Sequence, residues 1–256
     1  MNPVLSVENV TLRFGGLCAV SDFSLTLAKG ELAGLIGPNG AGKTTVFNIL
    51  SGVYQPQEGQ VMAMGRSMLG LKPHQICAAG VARSFQNIRL FKSLSVMDNV
   101  KTAFHHEGAY SLASALWRRK DAVAGEARFE ERANRILSTL ELDLRRDEPA
   151  GSLPYGEQKK LEIARAVATG CRILLLDEPA AGMNAGESAW LMGCIQTIRR
   201  EFDLSILLIE HDMKVVMGIC ERIHVMDHGV KIAEGTPAEI RKDERVIEAY
   251  LGTKRT

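Results

Sequence analysis

The run Gly37-Pro38-Asn39-Gly40-Ala41-Gly42-Lys43-Thr44, continued by Thr45, fits the pattern G-x-x-x-x-G-K-[ST] and constrains this chain more than any other stretch. Before it, Leu32-Ala33-Gly34-Leu35-Ile36 is a short apolar run of the kind that forms a buried strand. After it, Thr45-Val46-Phe47-Asn48-Ile49-Leu50 has the spacing of a helix with one apolar face. A strand, a glycine-rich loop and a helix in that order make a phosphate cradle. Glycines let the backbone wrap an anion with its amide N–H groups turned inward, and the helix adds the positive end of its dipole. In such a loop Lys43 would reach the β- and γ-phosphates of a nucleotide and the Thr44 hydroxyl would bind Mg²⁺.

At 256 residues and 46% hydrophobic, the chain is long enough to bury one large core, with or without a sub-domain. A net charge of +1 gives no basic footprint, so nucleic acid is not an expected partner. Cys18, Cys77, Cys171, Cys194 and Cys220 are scattered, odd in number and without a C-x-x-C pair, which suggests neither a disulfide framework nor a zinc site. Residues 1–10 are strand-like and lack the basic start and apolar run of a signal peptide, and no window approaches 18 apolar residues. A cytosolic chain is expected, one that another chain must hold if it works at a membrane.

Leu5-Ser6-Val7-Glu8-Asn9-Val10-Thr11-Leu12-Arg13-Phe14 alternates apolar and polar residues, and Phe23-Ser24-Leu25-Thr26-Leu27 does so again. This predicts a small antiparallel β layer ahead of the phosphate-loop strand. Phe14, at the end of the first strand, is either a core aromatic or a platform for a base. Residues 59–65 predict a short strand, 73–79 a short helix, and Val81-Ala82-Arg83-Ser84-Phe85-Gln86 a strand ending at an amide. From residue 94 to about 169 helix formers dominate and charge rises, which places a helical sub-domain, about 87–169, inside an α/β core formed by 1–86 and 170–256. Within it, Trp117-Arg118-Arg119-Lys120 is most simply a solvated face, and His105-His106 have no ligand partners nearby in sequence. Strands return at Ile173-Leu174-Leu175-Leu176 and Ile206-Leu207-Leu208-Ile209, with a helix over 188–200 between them; a closing hairpin about Asp227-His228-Gly229 and two short helices end the chain. No internal repeat is present, so a single 256-residue domain with one nucleotide site is expected.

Asp177 and Glu178 follow the apolar run Ile173-Leu174-Leu175-Leu176, and ligands of open α/β sheets gather at the carboxyl ends of strands. Asp177 is placed to hold the water shell of Mg²⁺, and Glu178 to act as general base toward an attacking water. His211 follows the next strand in the same manner, where a neutral imidazole would meet a γ-phosphate or orient the carboxylate.

In order and spacing, the loop 37–45, Gln86, the segment Leu153-Pro154-Tyr155-Gly156-Glu157-Gln158, the pair Asp177-Glu178 and the lone His211 resemble the ATP-binding subunit of an ABC transporter over essentially the whole chain. The resemblance implies ATP and Mg²⁺ as ligands, Phe14 stacked on adenine, Gln86 at Mg²⁺ and the γ-phosphate, Glu178 as catalytic base and His211 as the switch histidine. It also implies that Tyr155, Gly156 and Glu157 belong to a signature segment that reaches the nucleotide of a partner subunit. A finer resemblance, carried by Arg13-Phe14-Gly15-Gly16, Glu178-Pro179-Ala180-Ala181-Gly182-Met183-Asn184, Glu210-His211-Asp212-Met213 and Ala249-Tyr250-Leu251-Gly252, is to the larger ATP-binding subunit of branched-chain, or more broadly hydrophobic, amino acid importers. The implied partners are a second ATP-binding subunit, as heterodimer or homodimer, two membrane-spanning permease subunits and, indirectly, a periplasmic or lipid-anchored binding protein. The implied place is the cytoplasmic face of the plasma or inner membrane.

Two segments depart from the pattern. Where the superfamily has L-S-G-G-Q, Pro154 stands for serine and has neither hydroxyl nor N–H, Tyr155 stands for the first glycine and Glu157 for glutamine; Asn184 stands where many relatives have aspartate. An asymmetric pair of sites is the resulting expectation. Cargo is open at this point among leucine, isoleucine and valine, urea, amides and aromatic acids. A soluble ABC-type ATPase acting on nucleic acid or ribosomes would more often show tandem domains or a basic surface, and a phosphate-loop kinase would need no signature segment.

Overall fold

The computed structural model of the chain describes residues 3–84, 88–106 and 119–251. Gln86, Trp117 and Arg118, together with the side chains of His105, His106, Arg119 and Lys120, lie outside the described residues.

A six-stranded sheet forms the centre, built from β3 (Leu32–Ile36), β6 (Val81–Arg83), β7 (Ile173–Asp177), β8 (Ser205–Ile209), β9 (Arg222–Asp227) and β10 (Val230–Gly235). Their order is β10-β9-β3-β8-β7-β6, parallel throughout except for the β9–β10 hairpin at one edge. Every residue of β3, β7 and β8 is buried, as expected of parallel strands covered on both faces. Because successive side chains point to opposite faces, the same strands feed two cores. Leu174, Leu176, Ile206 and Leu208 face the helical side, while Ile173, Leu175, Leu207 and Ile209 face the other.

That other face is covered by α1 (Lys43–Leu50) and by a second, antiparallel sheet of order β2-β1-β4-β5, made of β1 (Leu5–Phe14), β2 (Leu17–Leu27), β4 (Glu58–Ala63) and β5 (Arg66–Ser67). Phe23, Leu25, Phe47 and Leu50 fill the space between the two sheets. Strand β2 starts at Leu17 rather than near Phe23. Its first residues, Leu17 and Cys18, are exposed and carry no alternation, so pairing with β1 rather than burial holds them extended.

Between β6 and β7 the described chain is helical, with α3 (Val96–Lys101), α4 (Arg119–Thr139) and α5 (Tyr155–Ala168) packed together, following the short α2 (Pro73–Ala78). After β7 come α6 (Ala185–Glu201), α7 (Met213–Ile219), α8 (Pro237–Ile240) and α9 (Glu244–Leu251). The seven-residue α7 was not expected from periodicity, because its capping signal is a single Asp212 whose side chain accepts from the Lys214 N–H. Among the described residues no helix is long and apolar enough to cross a membrane.

Candidate active site

Strand β3 runs into the turn at 37–42, and α1 begins at Lys43. Gly37 has φ +151°, and a Cβ there would lie 2.0 Å from the carbonyl oxygen of Met226 in β9, so no other residue fits. Gly42, the N-cap of α1 at φ +102°, is hemmed in the same way by the Ala19 carbonyl, 2.7 Å from where its Cβ would be. The Gly229 N–H donates to the Ala41 carbonyl at 3.0 Å and the Ser21 N–H to the Gly229 carbonyl at 2.8 Å. The closing hairpin and β2 thus wall the loop from behind. Helix α1 has no capping side chain and no acidic residue in its first turn. Its first-turn N–H groups are therefore not taken up by a capping side chain.

Lys43 is 5% exposed, and its ammonium donates to the carbonyls of Gly37 at 2.7 Å and Pro38 at 2.8 Å. Burial lowers its pKa, and the nearby charges of Glu178 and Asp177 act the other way. In front of it opens a cleft of about 620 Å³ lined by Phe14, Asn39, Gly40, Ala41, Gly42, Lys43, Thr44, Thr45, Glu178 and His211. The structure therefore brings together residues of four separate segments that the sequence singled out. Phe14 is 45% exposed, not a core aromatic, and its ring stands edge-on to Tyr54 with centroids 5.1 Å apart. Leu17, Cys18, Ala19, His228 and Gly229 complete the wall; the sequence marked His228 and Gly229 only as a turn and gave none of the five a place in the site, because tertiary packing alone brings them there.

Asp177, the last residue of β7, is 3% exposed, and its Oδ2 accepts from Arg83 Nη2 at 2.6 Å. Glu178 turns into the left-handed region at φ +48°, while its N–H keeps the sheet register by donating to Ile209 O at 2.9 Å. The turn aims its carboxylate at the neighbouring strand's end, where Glu178 Oε1 meets His211 Nε2. Behind this pair lies Glu210, which accepts from the Ala180 N–H at 2.8 Å and the His211 N–H at 3.2 Å. Burial raises the Glu210 pKa. One buried carboxyl thus ties together the loops that carry Glu178 and His211. Arg83 and Glu210 had been given no role from sequence; only the folded geometry shows what they hold.

Tyr155, Gly156 and Glu157 do not line this cleft. They open α5 behind Pro154, with the Tyr155 hydroxyl donating to Ala181 O at 3.2 Å and Glu157 paired with Arg145 at 2.9 Å. Nearby, Asn184 caps α6: its side chain accepts from the Glu187 N–H at 2.9 Å, and Glu187 accepts from the Asn184 N–H at 3.0 Å.

Among the described residues no cluster of three or more His, Cys, Asp or Glu could hold a metal unaided. Thr44 at the cleft and Asp177 behind it are hard oxygen donors, a sparse set that suits Mg²⁺ brought in with phosphates.

Residues 20–181 match the ABC transporter family, and residues 230–255 match the family described as branched-chain amino acid ATP-binding cassette transporter. The high-affinity branched-chain amino acid transport ATP-binding protein LivG of Salmonella typhimurium is 45% identical over 250 residues, covering 98% of each chain. BraF of Pseudomonas aeruginosa, a protein of the same description, is 44% identical with the same coverage. The crystal structure of the ADP conformation of MJ1267, an ATP-binding cassette of an ABC transporter, superposes with a TM-score of 0.84 at 28% identity, over 98% of this chain and 100% of that one. Matches that run from end to end at this level, on a chain already carrying a glycine-rich loop and a Glu178–His211 contact at one sheet edge, lead to one conclusion: it belongs to the ABC transporter family, as an ATP-binding and ATP-hydrolysing protein.

Proposed function

We propose that the chain is the ATPase subunit of an importer for branched-chain amino acids, acting at the cytoplasmic face of the membrane. The observation that carries the catalytic part is the contact of Glu178 with His211 at the mouth of a cleft floored by Lys43 and Thr44. The full-length likeness to LivG and BraF, extending through the C-terminal match at 230–255, supports the cargo.

Adenine stacks on Phe14, and the phosphates lie over Asn39 to Thr45, held by loop amides and the N-terminus of α1. Lys43 leaves the Gly37 and Pro38 carbonyls for the β- and γ-phosphates. The Thr44 hydroxyl and Asp177, with Gln86, would hold Mg²⁺, which would supply neutralisation of the charge that develops on the phosphates. Glu178 takes a proton from water as the water oxygen bonds to the γ-phosphorus; the bond from that phosphorus to the β,γ-bridging oxygen breaks, leaving ADP and phosphate. His211 holds the Glu178 carboxylate and meets the γ-phosphate. Loss of that phosphate removes the contacts that favour a closed pair of subunits.

The partners are a second ATP-binding subunit, which receives Tyr155, Gly156 and Glu157 at its own nucleotide, and two membrane-spanning subunits. A groove of about 630 Å³ lined by Ile76, Arg89, Leu90, Phe91, Glu162 and Arg165 suits a permease helix, with Phe91 half exposed at its rim and the Arg165 guanidinium 5.0 Å from that ring. Leu90 lines the groove and also packs on the core. Pro154 in the signature makes the two composite sites unequal, with slower hydrolysis at the partner's; equal inactivation by Glu178→Gln and by the matching change in the partner would count against that.

The test is uptake of radiolabelled leucine by cells lacking the gene, complemented with the natural chain or with Glu178→Gln. Uptake restored by the natural chain alone is expected. Absence of leucine uptake from a well-expressed, membrane-associated natural chain would overturn the cargo and direct the search to urea, amides and other amino acids.

A further inference from the structure

Arg83 closes β6 and is almost fully covered, as is its partner Asp177, with side-chain exposures of 8% and 4%. Its planar fork spans two elements. Nη2 donates to Asp177 Oδ2 at 2.6 Å, and Nη1 donates to Asn48 Oδ1 at 2.7 Å and to Ser51 Oγ at 3.1 Å, with the guanidinium carbon 5.6 Å from the Phe47 ring centroid. Asn48 lies one helical turn beyond Thr44 on α1, and Ser51 caps that helix. A single cation therefore fixes the height of the phosphate-loop helix against the end of β7, and so fixes Thr44 against Asp177. With Oδ2 held by Arg83, the direction of Oδ1 is also set. Lysine has one point charge and cannot make this three-way, two-element contact.

We propose that Arg83 is a positioning residue for the Mg²⁺ site: it acts through Asp177 and Asn48 to set the spacing of the carboxylate and the Thr44 hydroxyl that hold the metal with ATP. The proposal rests on the nucleotide-site reading above. It differs from a packing role in what it controls, which is the Mg²⁺ requirement rather than the affinity for ATP.

Two readouts test it. In thermal unfolding of the nucleotide-free full chain, Arg83→Gln, Asp177→Asn and the double variant form a cycle; a direct pair gives non-additive melting shifts, the double variant being less destabilised than the sum. In Mg²⁺ titration of ATP turnover, Arg83→Gln should raise the half-saturating Mg²⁺ about tenfold while KM for ATP stays within about twofold, and Arg83→Lys should recover part of the shift. Additive melting shifts, or an unchanged Mg²⁺ requirement in Arg83→Gln beside an active natural chain, would overturn the proposal. An assembled transporter with the natural chain but without Mg²⁺-dependent turnover would overturn the site reading on which it rests, while the melting cycle still judges the ion pair alone. Should Arg83→Gln not fold, Arg83→Lys, which keeps the charge and loses the fork, carries both comparisons.

Discussion

Helices α1 and α5 begin without a capping side-chain hydrogen bond, and both belong to segments the sequence marked for phosphate; among the described residues the short α2, behind Lys72 with Pro73 in its first turn, also has none and was marked for no ligand. Helix α1 starts behind Gly42 and α5 behind Pro154, whereas α3, α6, α7 and α8 start behind Ser95, Asn184, Asp212 and Thr236, each accepting a hydrogen bond from its own first turn. A helix that must stand by itself satisfies its first N–H groups; one that awaits an anion leaves them to the ligand. The two uncapped ends nonetheless differ. The first is walled by Met226 and Gly229 and opens on the cleft with Lys43 inside it. The second stands outside the cleft with an exposed Tyr155, and it carries a glutamate in its first turn paired to Arg145. In the proposed function, the first end is one half-site by itself, and the second is completed by the nucleotide of a partner.

The largest expected effect tests the first end. Glu178→Gln should lower turnover by about a thousandfold while the chain still binds ATP, because it removes the base and keeps the cradle; parallel loss of nucleotide binding in equilibrium titration would show that Glu178 holds the loop rather than the water. Next, Gly156→Asp should leave ATP binding by the isolated chain within about twofold but cut turnover of the assembled transporter about a hundredfold. A loss of binding in the isolated chain would erase the distinction between the two ends. Phe14→Ala should weaken ATP about tenfold with little change in kcat, the worth of one stacked base; equal binding of ATP and of inorganic triphosphate by the natural chain would remove the need for that platform.

The smallest effect concerns the brace behind the first end. In the β9–β10 hairpin the buried His224 has its Nδ1 3.3 Å from Glu234 Oε2, and Lys231 donates to the same carboxylate at 2.7 Å. The His224 contact, then Lys231, holds the Glu234 carboxyl well below the usual carboxylate range against the opposing effect of burial. The unfolded chain therefore takes up this proton first. The stabilisation is present above about pH 4.5 and is lost as pH falls through the acid range toward the folded pKa. Glu234→Gln should flatten the acid limb of a melting-temperature profile and leave the neutral limb unchanged; an unaltered acid limb would show that the brace adds nothing.

Most of this arrangement was legible before folding wherever a local rule applied. The phosphate loop, the three fully buried strands and the Asp177-Glu178 pair obey short-range spacing, so Leu174 or Lys43 needed no partner to be recognised. Phe14 was ambiguous, because exposure of an aromatic at a strand end depends on what packs beside it, here Tyr54. Arg83, Glu210 and Tyr54 were missed for one shared reason: each acts across a sequence gap, 94 residues from Arg83 to Asp177 and 30 from Ala180 to Glu210, that no periodicity spans. Asn184 looked like a departure from a pattern and is also a helix cap, so its amide has a local structural use.

The contact of Gly37 with the Met226 carbonyl has a consequence in time. The phosphate loop leaves a ribosome well before its rear wall, which is encoded nearly 190 residues later. Until the final hairpin arrives, β3 lacks its β9 neighbour and the loop lacks its backing. ATP binding therefore requires synthesis through the β9–β10 hairpin. A chain cut short before Met226 would carry the whole phosphate-loop motif and still have no site.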